Sequence, residues 1–104
     1  MEVIISNNFI IFIYFTVAKI MNKISKTKIE QYVINKVKEK RIQSRLSQAE
    51  LADLLNLSAG FIGKIESNKY AAKYNLNHIN ALAKIFNCSP KELLPTNYIA
   101  DDEK

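Results

Sequence analysis

The chain has 104 residues, enough for one small domain with short appendages, and 48% of them are apolar, so a single modest core is possible. Fifteen Lys and Arg against ten Asp and Glu give a net charge of +5, which favours a polyanionic partner, nucleic acid before a membrane surface. Because Cys88 is the only cysteine and His78 the only histidine, an intramolecular disulfide is excluded, a zinc centre is nearly excluded, and a reducing compartment such as the cytoplasm is expected.

Residues 1–21 form an apolar extension that differs in composition from the rest of the chain. Within it, residues 9–18 are almost continuously apolar and rich in isoleucine and aromatic side chains. This run is half of the roughly 20 residues that a membrane-spanning helix needs, and it lacks the positive start and cleavage site of a secretory signal. Its composition favours a β-strand or an aggregation-prone segment. We expect it to lie outside the functional domain; a strand or helix that pairs with a second subunit and a weak membrane anchor are the alternatives.

Residues 22–95 carry the signals of five helices, and no alternating pattern in them demands a sheet. The first helix is predicted over about Lys28 to Arg41, with Thr27 or Ser25 as its cap. Every fourth residue of this helix is apolar, which predicts one buried stripe: Ile29, Val33 and Val37.

The second and third helices are short, and the sequence marks their ends. Ser47 begins the second helix with a capping box, in which its hydroxyl accepts from the amide of Glu50 while the Glu50 carboxylate reaches back to the Ser47 amide. Asn56 falls at the turn, where Asn tolerates the left-handed backbone that ends a helix. Ser58 is then the cap of a third helix over about residues 59–67.

The remaining helices and the tail follow the same local rules. Asn75 or Asn77 caps a fourth helix, and Ser89 with Glu92 begins a fifth through another capping box, with proline at its first position. Residues 96–104 end in acidic side chains and are predicted to be a solvated tail.

The two glycines of the chain, Gly60 and Gly63, both fall inside the third helix, on its outward side. A glycine in a helix interior costs about 1 kcal/mol relative to alanine. A short helix that carries two of them is expected to receive another surface at close range. With the basic charge of the chain, DNA is the surface that we predict.

The stretch from Ser47 to Asn68 resembles the helix-turn-helix of the phage repressor/Cro (XRE-type) DNA-binding family, and the resemblance extends over roughly Lys28 to Leu94. The run KVKEKRIQSRLSQAELADLL is similar to lambdoid phage repressors. The apolar positions of that family are occupied by Leu51, Ala52, Leu55, Leu57, Ile62 and Ile65. The resemblance implies an all-α, compact five-helix bundle of the lambda repressor type, with the hydrophobic N-terminal extension attached to it.

The resemblance also implies roles for individual residues. Those expected to face DNA bases are Ala59, Gly60, Phe61, Gly63 and Lys64. Those expected to contact phosphates are Gln48, Ser58, Ser67, Asn68, Lys69 and Lys73. An arginine at the end of the first helix, Arg41, is expected to clasp a glutamate near the end of the third, Glu66.

The chain departs from the family pattern where bases are read. Phage repressors often have Gln, Ser or Arg where Ala59 and Gly60 stand, and these two residues cannot form the bidentate hydrogen bonds that discriminate bases. Lys64 can donate to guanine, and Ala59 or Phe61 can touch a thymine methyl group. We therefore expect discrimination to depend partly on DNA shape and on the phosphate contacts.

The function predicted from the sequence is specific binding of double-stranded DNA by a small, repressor-like transcriptional regulator, acting as a homodimer. Three alternatives remain open: an antitoxin with a cognate toxin, a restriction-modification controller, and an adaptor that uses the bare face of the third helix to receive another protein. No cluster of nucleophile, base and acid is visible, so neither enzymatic activity nor a cofactor is expected.

Overall fold

The computed structural model describes residues 7–24 and 26–101, with only the backbone described for residues 19–24. Residues 1–6 of the extension and 102–104 of the tail lie outside the described residues. Within the described ranges every regular element is helical: α1 (Asn7–Ile24), α2 (Lys28–Gln43), α3 (Gln48–Leu54), α4 (Ala59–Glu66), α5 (Leu76–Ile85) and the single-turn 3₁₀ helix η1 (Pro90–Leu93). The five elements from α2 to η1 are the five helices expected, so the all-α fold class is confirmed.

The N-terminal extension is a helix, so the expectation of a β-strand is wrong for residues 7–24. Isoleucine and aromatic residues favour strands only weakly, and a strand needs a partner for its backbone groups. A helix satisfies those groups within itself. The helix continues to Ile24, past the boundary predicted at residue 21. No helix among the described residues has the length and apolar character that crossing a membrane requires.

Helix α2 buries a different stripe from the one predicted. Val33 and Val37 are buried as expected, but Ile34 is buried too, while Ile29 remains 40% exposed. Each step of four residues overshoots a turn by about 40°, so Ile29 lies about 80° from Val37 and about 140° from Ile34, at the edge of the buried face. Thr27 is the N-cap of α2 and its capping box with Glu30 is complete, while Ser25, the other cap predicted, lies outside the described residues.

The start of α3, the turn after it and the start of α4 lie where the local signals predict them. Ser47 accepts from the Glu50 amide at 3.0 Å, and the Glu50 carboxylate accepts from the Ser47 amide at 2.8 Å. Asn56 has φ 58°, the left-handed conformation expected of it. Ser58 occupies the N-cap of α4 but its side chain makes no capping hydrogen bond. Its hydroxyl is therefore not committed to its own helix.

Helix α5 and η1 close the bundle with two further capping boxes. Asn75, not Asn77, caps α5, and its partner is His78, whose Nδ1 accepts from the Asn75 amide at 3.0 Å. Ser89 and Glu92 form the box that begins η1. Between them Asn87 takes φ 51°, which ends α5.

One apolar core lies between α2, α3, α4, α5 and η1. Its fully buried members include Ile62 and Ile65, the two inward residues of α4. Complete burial of side chains of this size stabilises the fold by about 1.5–3 kcal/mol each. The core residues are Val33, Ile34, Val37, Leu51, Ala52, Ile62, Ile65, Tyr74, Ile79, Leu82 and Leu93.

Candidate nucleic-acid interface

The outward side of α4 is open. Ala59, Gly60 and Lys64 are exposed, and a Cβ atom placed on Gly60 would meet no other atom within 4 Å. No part of the described chain therefore covers this face at Gly60. A large surface such as a DNA duplex can approach the backbone of α4 here without displacing a side chain.

Gly63 has a different neighbour from Gly60. It is half-buried, and a Cβ placed on it would lie 3.3 Å from Oε1 of Gln48, tighter than ordinary van der Waals contact. The absence of a side chain at Gly63 thus makes room for Gln48. The reason predicted for both glycines, close approach of another molecule, fits Gly60 alone.

Arg41 and Glu66 form a buried, bidentate ion pair between α2 and the end of α4. The Arg41 Nε donates to Glu66 Oε2 at 2.9 Å and its Nη2 donates to Glu66 Oε1 at 3.0 Å. The remaining nitrogen, Nη1, donates to the carbonyl of Leu46 at 2.7 Å. Only 11% of the Arg41 side chain and 3% of the Glu66 side chain are exposed, so both charges depend on these partners. The pair fixes the C-terminal end of α4 to the segment that leads into α3.

Gln48 is oriented by the same ion pair. Its Nε2 donates to Glu66 Oε1 at 3.0 Å, which extends the network from Arg41 through Glu66 to the first residue of α3. An amide nitrogen carries two hydrogens, so one donor of Gln48 is left after this bond. The side chain is exposed and held in place, which suits a contact to a phosphate oxygen.

Phe61 differs from the other residues predicted to face bases. Its ring is half-buried and packs against the core, with its centroid 6.2 Å from that of His78. The structure brings Ala59, Gly60 and Lys64 together on the open face of α4 and leaves Phe61 at its edge.

The residues predicted to contact phosphates after α4 form a second group. Asn68 and Lys69 are exposed, while Ser67 is half-buried with its Oγ accepting from the Lys69 amide at 3.1 Å. Lys64 lies with its Nζ 5.6 Å from the centroid of the Tyr70 ring, a cation–π contact that keeps the ammonium near this loop. The cluster presents two lysines at the C-terminal end of the open face.

Lys73 is engaged elsewhere. Its Nζ lies 2.8 Å from the carboxylate of Glu30, at the start of α2. Burial by itself raises the pKa of Glu30, but the hydrogen bonds from Lys73 and Thr27 outweigh it, so that the pKa is lowered overall. A phosphate contact by Lys73 would have to compete with this ion pair.

The sequence does not single out Lys26, and it leaves Tyr74 equally able to pack against the helix that follows it or to contact DNA. The ammonium of Lys26 donates to the carbonyl of Ser67, and its partial burial lowers its pKa. Tyr74 is in the core with a hydroxyl that has no hydrogen-bond partner among the described residues, and burial, together with the charge of Glu66, raises its pKa. Both positions follow from long-range packing, which leaves no local signal in the sequence.

The comparison with protein families agrees with this geometry. A family model described as the Cro/C1-type HTH DNA-binding domain matches residues 36–98, more than half of the chain. Searches of curated proteins and of solved structures gave no match. The matched range contains the second half of α2 and all of α3, α4, α5 and η1. The chain therefore belongs to the family of Cro/C1-type helix-turn-helix DNA-binding domains.

Proposed function

We propose that this protein is a small transcriptional regulator, repressor-like, that binds specific sites in double-stranded DNA with α4 in the major groove. The observation that carries the proposal is the open face of α4 at Ala59, Gly60 and Lys64, on a helix fixed from behind by two fully buried isoleucines. A helix held so rigidly presents its outward side in one orientation, which recognition of a fixed groove requires.

Reading of bases by this face depends on few side chains. Ala59 and Gly60 have no side-chain donor or acceptor, so they contribute closeness of approach and apolar contact with thymine methyl groups. Lys64 is the one side chain there that can donate to guanine. The remaining discrimination comes from the shape and deformability of the duplex.

Phosphate contacts set the position of α4 in the groove. Gln48 lies at the beginning of α3, and Ser58 at the beginning of α4 has a hydroxyl not used for capping. Beyond α4, the loop offers Ser67, Asn68 and Lys69. Ser58 lies at the N-terminal end of α4, whereas Gln48, bonded to Glu66, and the loop lie toward its C-terminal end, so phosphate contacts are offered at both ends of the open face.

Two protomers binding adjacent half-sites, about 34 Å apart, would read an operator with two-fold symmetry. A cognate toxin or another protein is a further partner within this proposal. An adaptor function is the rival, because small side chains at Ala59 and Gly60 would also accept the helix of another protein.

Binding-site selection from random duplexes, followed by a salt titration, tests the proposal. We expect an enriched sequence whose affinity falls steeply with salt, since each phosphate contact lowers the slope of log K against log[salt] by about 0.9. Lys64→Ala should reduce affinity for that duplex at least about tenfold, with no change in thermal midpoint.

Lys84→Ala is the matched control, because Lys84 is an exposed lysine on α5 and its removal changes the net charge by the same amount. Equal losses for the two variants would show that α4 is not the recognition helix. Binding of a protein partner with little salt dependence, and of no duplex, would favour the adaptor.

A further inference from the structure

Helix α1 carries a large apolar surface that the described chain does not cover. Eight of its side chains are between 45% and 70% exposed: Phe9, Ile10, Ile11, Phe12, Ile13, Tyr14, Phe15 and Val17. Large apolar side chains have on the order of 150–250 Å² each, so about half of that, on the order of 800 Å² in all, faces outward. This exceeds the largest apolar patch of a typical monomer, about 300–600 Å². Because residues 9–15 follow one another at about 100° intervals, this area runs around the whole helix, so one partner helix covers part of it and an assembly of several helices covers more.

The spacing along α1 indicates what fits this surface. Ile10, Ile13 and Val17 follow one another by three and four residues, and the sequence continues the same steps to Ile20 and Ile24. Alternation of three and four residues is the a/d spacing by which two helices pack in a left-handed coiled coil. β-Branched residues occupy every position of this seam, which is typical of the core of such an assembly.

We propose that α1 is the self-association element of this protein and packs along the seam of Ile10, Ile13 and Val17 against α1 of a second copy of the chain. The inference rests on the proposed function in one respect, since it supplies the pairing of protomers that a two-fold operator needs. Phe12 and Phe15 lie off the seam, and isoleucine at both seam positions favours three or four strands, so larger assemblies of the same element are included.

A second copy fits α1 better than a lipid surface does. Helices that lie on membranes carry a basic face opposite their apolar one. The charged residues of α1 are Lys19 and Lys23, both in its last six positions, so residues 7–18, which carry the exposed apolar side chains, have no basic residue among them. The apolar side chains also follow a regular seam, which packing against another helix requires and a lipid surface does not.

The connection from α1 to the DNA-binding domain makes this pairing relevant to α4. Lys26 donates to the carbonyl of Ser67, directly after α4, and Thr27 caps α2. The chain that leaves α1 is therefore held beside the C-terminal end of α4. Pairing two copies through α1 brings two such helices into one particle.

Sedimentation of the full chain without DNA tests the inference with two matched variants. Ile13→Asp and Ile11→Asp place the same charge on residues of the same helix that are 45% and 49% exposed, one on the seam and one off it. We expect the unmodified chain to be a dimer or larger at micromolar concentration. Ile13→Asp should raise the dissociation constant at least about a hundredfold, because an unpaired carboxylate in an apolar seam is strongly unfavourable, and Ile11→Asp should leave association nearly unchanged.

Circular dichroism of both variants establishes that the helices of the DNA-binding domain remain folded. A monomeric unmodified chain, or an Ile13→Asp variant that still associates, overturns the proposal. Equal loss of association in both variants also overturns the proposal, because the contact would then involve the apolar side chains of α1 in general and not the seam of Ile10, Ile13 and Val17. Binding of a monomeric chain to phosphatidylglycerol vesicles would assign α1 to a membrane surface instead.

The experiment distinguishes failure of the α1 pairing from failure of the proposed DNA binding. A chain that associates through the seam but enriches no duplex would refute the DNA-binding proposal alone. A chain that binds an enriched duplex as a monomer would refute the pairing alone. When both proposals hold, Ile13→Asp should weaken binding to a duplex with two half-sites by at least about tenfold, from the loss of effective concentration, and leave binding to a single half-site unchanged.

Discussion

Helices α1 and α4 are both apolar in composition, yet they expose opposite kinds of side chain. In α4 the two large aliphatic residues, Ile62 and Ile65, are completely buried, and the exposed residues, Ala59, Gly60 and Lys64, are small or basic. In α1 the large residues between positions 9 and 17 are all about half-exposed. The exposed side of a helix, more than its average hydropathy, therefore indicates its partner: a duplex fits the first, and an apolar protein surface fits the second.

The two helices also differ in how they are fixed. Helix α4 is attached at its C-terminal end by the ion pair of Arg41 and Glu66 and from behind by the core. Separating the two members of such a buried pair would leave each charge without a partner, which is strongly unfavourable. The pair therefore holds the end of α4 in one orientation. Helix α1 is connected to the domain through residues 26 and 27, where Lys26 bonds to Ser67 and Thr27 caps α2.

The largest expected contrast is in stability. Ile62→Ala in α4 should lower the free energy of unfolding by about 2–5 kcal/mol, because Ile62 is fully buried and its truncation leaves a cavity. Ile11→Ala in α1 should change it by less than about 0.5 kcal/mol, since Ile11 is 49% exposed and off the seam. Urea denaturation followed by circular dichroism measures both. A loss for Ile11→Ala as large as that for Ile62→Ala would make α1 part of the domain core.

The two glycines of α4 allow a sharper contrast within one helix. Gly60→Ala should stabilise the fold by about 0.5–1 kcal/mol, because alanine favours helix and the added methyl group meets no atom within 4 Å. The same methyl group should weaken binding to the selected duplex if the DNA approaches the backbone there. Thermal denaturation and a binding titration of the variant give the two values.

Gly63→Ala is the matched variant for Gly60→Ala. Its methyl group would lie 3.3 Å from Oε1 of Gln48, so displacement of that side chain should offset the gain in helix propensity. We expect a smaller stabilisation than for Gly60→Ala and weaker DNA binding through the shifted Gln48. Equal stabilisation by the two substitutions would show that Gln48 has no required position.

The smallest effect expected concerns the start of α2, where the pKa of Glu30 is lowered from 4.5 by Lys73 and Thr27 despite partial burial, which raises it. A carboxyl whose pKa is lower in the folded state than in the unfolded state stabilises the fold above its unfolded pKa, and this stabilisation is lost as pH falls through the folded value. The unfolding free energies of the unmodified chain and Glu30→Gln should thus differ near neutral pH and approach each other as the pH falls below 4.5 toward the lowered pKa of Glu30. A constant difference at all pH values would mean that Glu30 acts through packing alone.

Much of the fold could be predicted because its signals are local. Three of these signals involve only residues close together in the chain, and the structure shows each as predicted: the capping box of Ser47 and Glu50, the left-handed Asn56, and the capping box of Ser89 and Glu92. The inward positions of α4 were equally clear, since Ile62 and Ile65 fit a single helical face. Such signals do not depend on what the rest of the chain does.

The parts that could not be predicted depend on distant neighbours. The side chain beside Gly63 comes from α3, the ion-pair partner of Lys73 comes from α2, and Tyr74 is buried in a core whose members come from several helices. Sequence spacing specifies which side of a helix a residue occupies, but not which residue from another helix will lie against it.

The amino-acid sequence by itself determined the caps, the helix-turn-helix and the all-α class of this protein, because capping and periodic burial are interactions between residues close together in the chain. Only the tertiary structure decided that Gly60 is open while Gly63 accommodates Gln48, that the network runs from Arg41 through Glu66 to Gln48, and that the extension is a helix with its large side chains exposed. These features arise when elements far apart in sequence pack together, and their distances are set by the whole core.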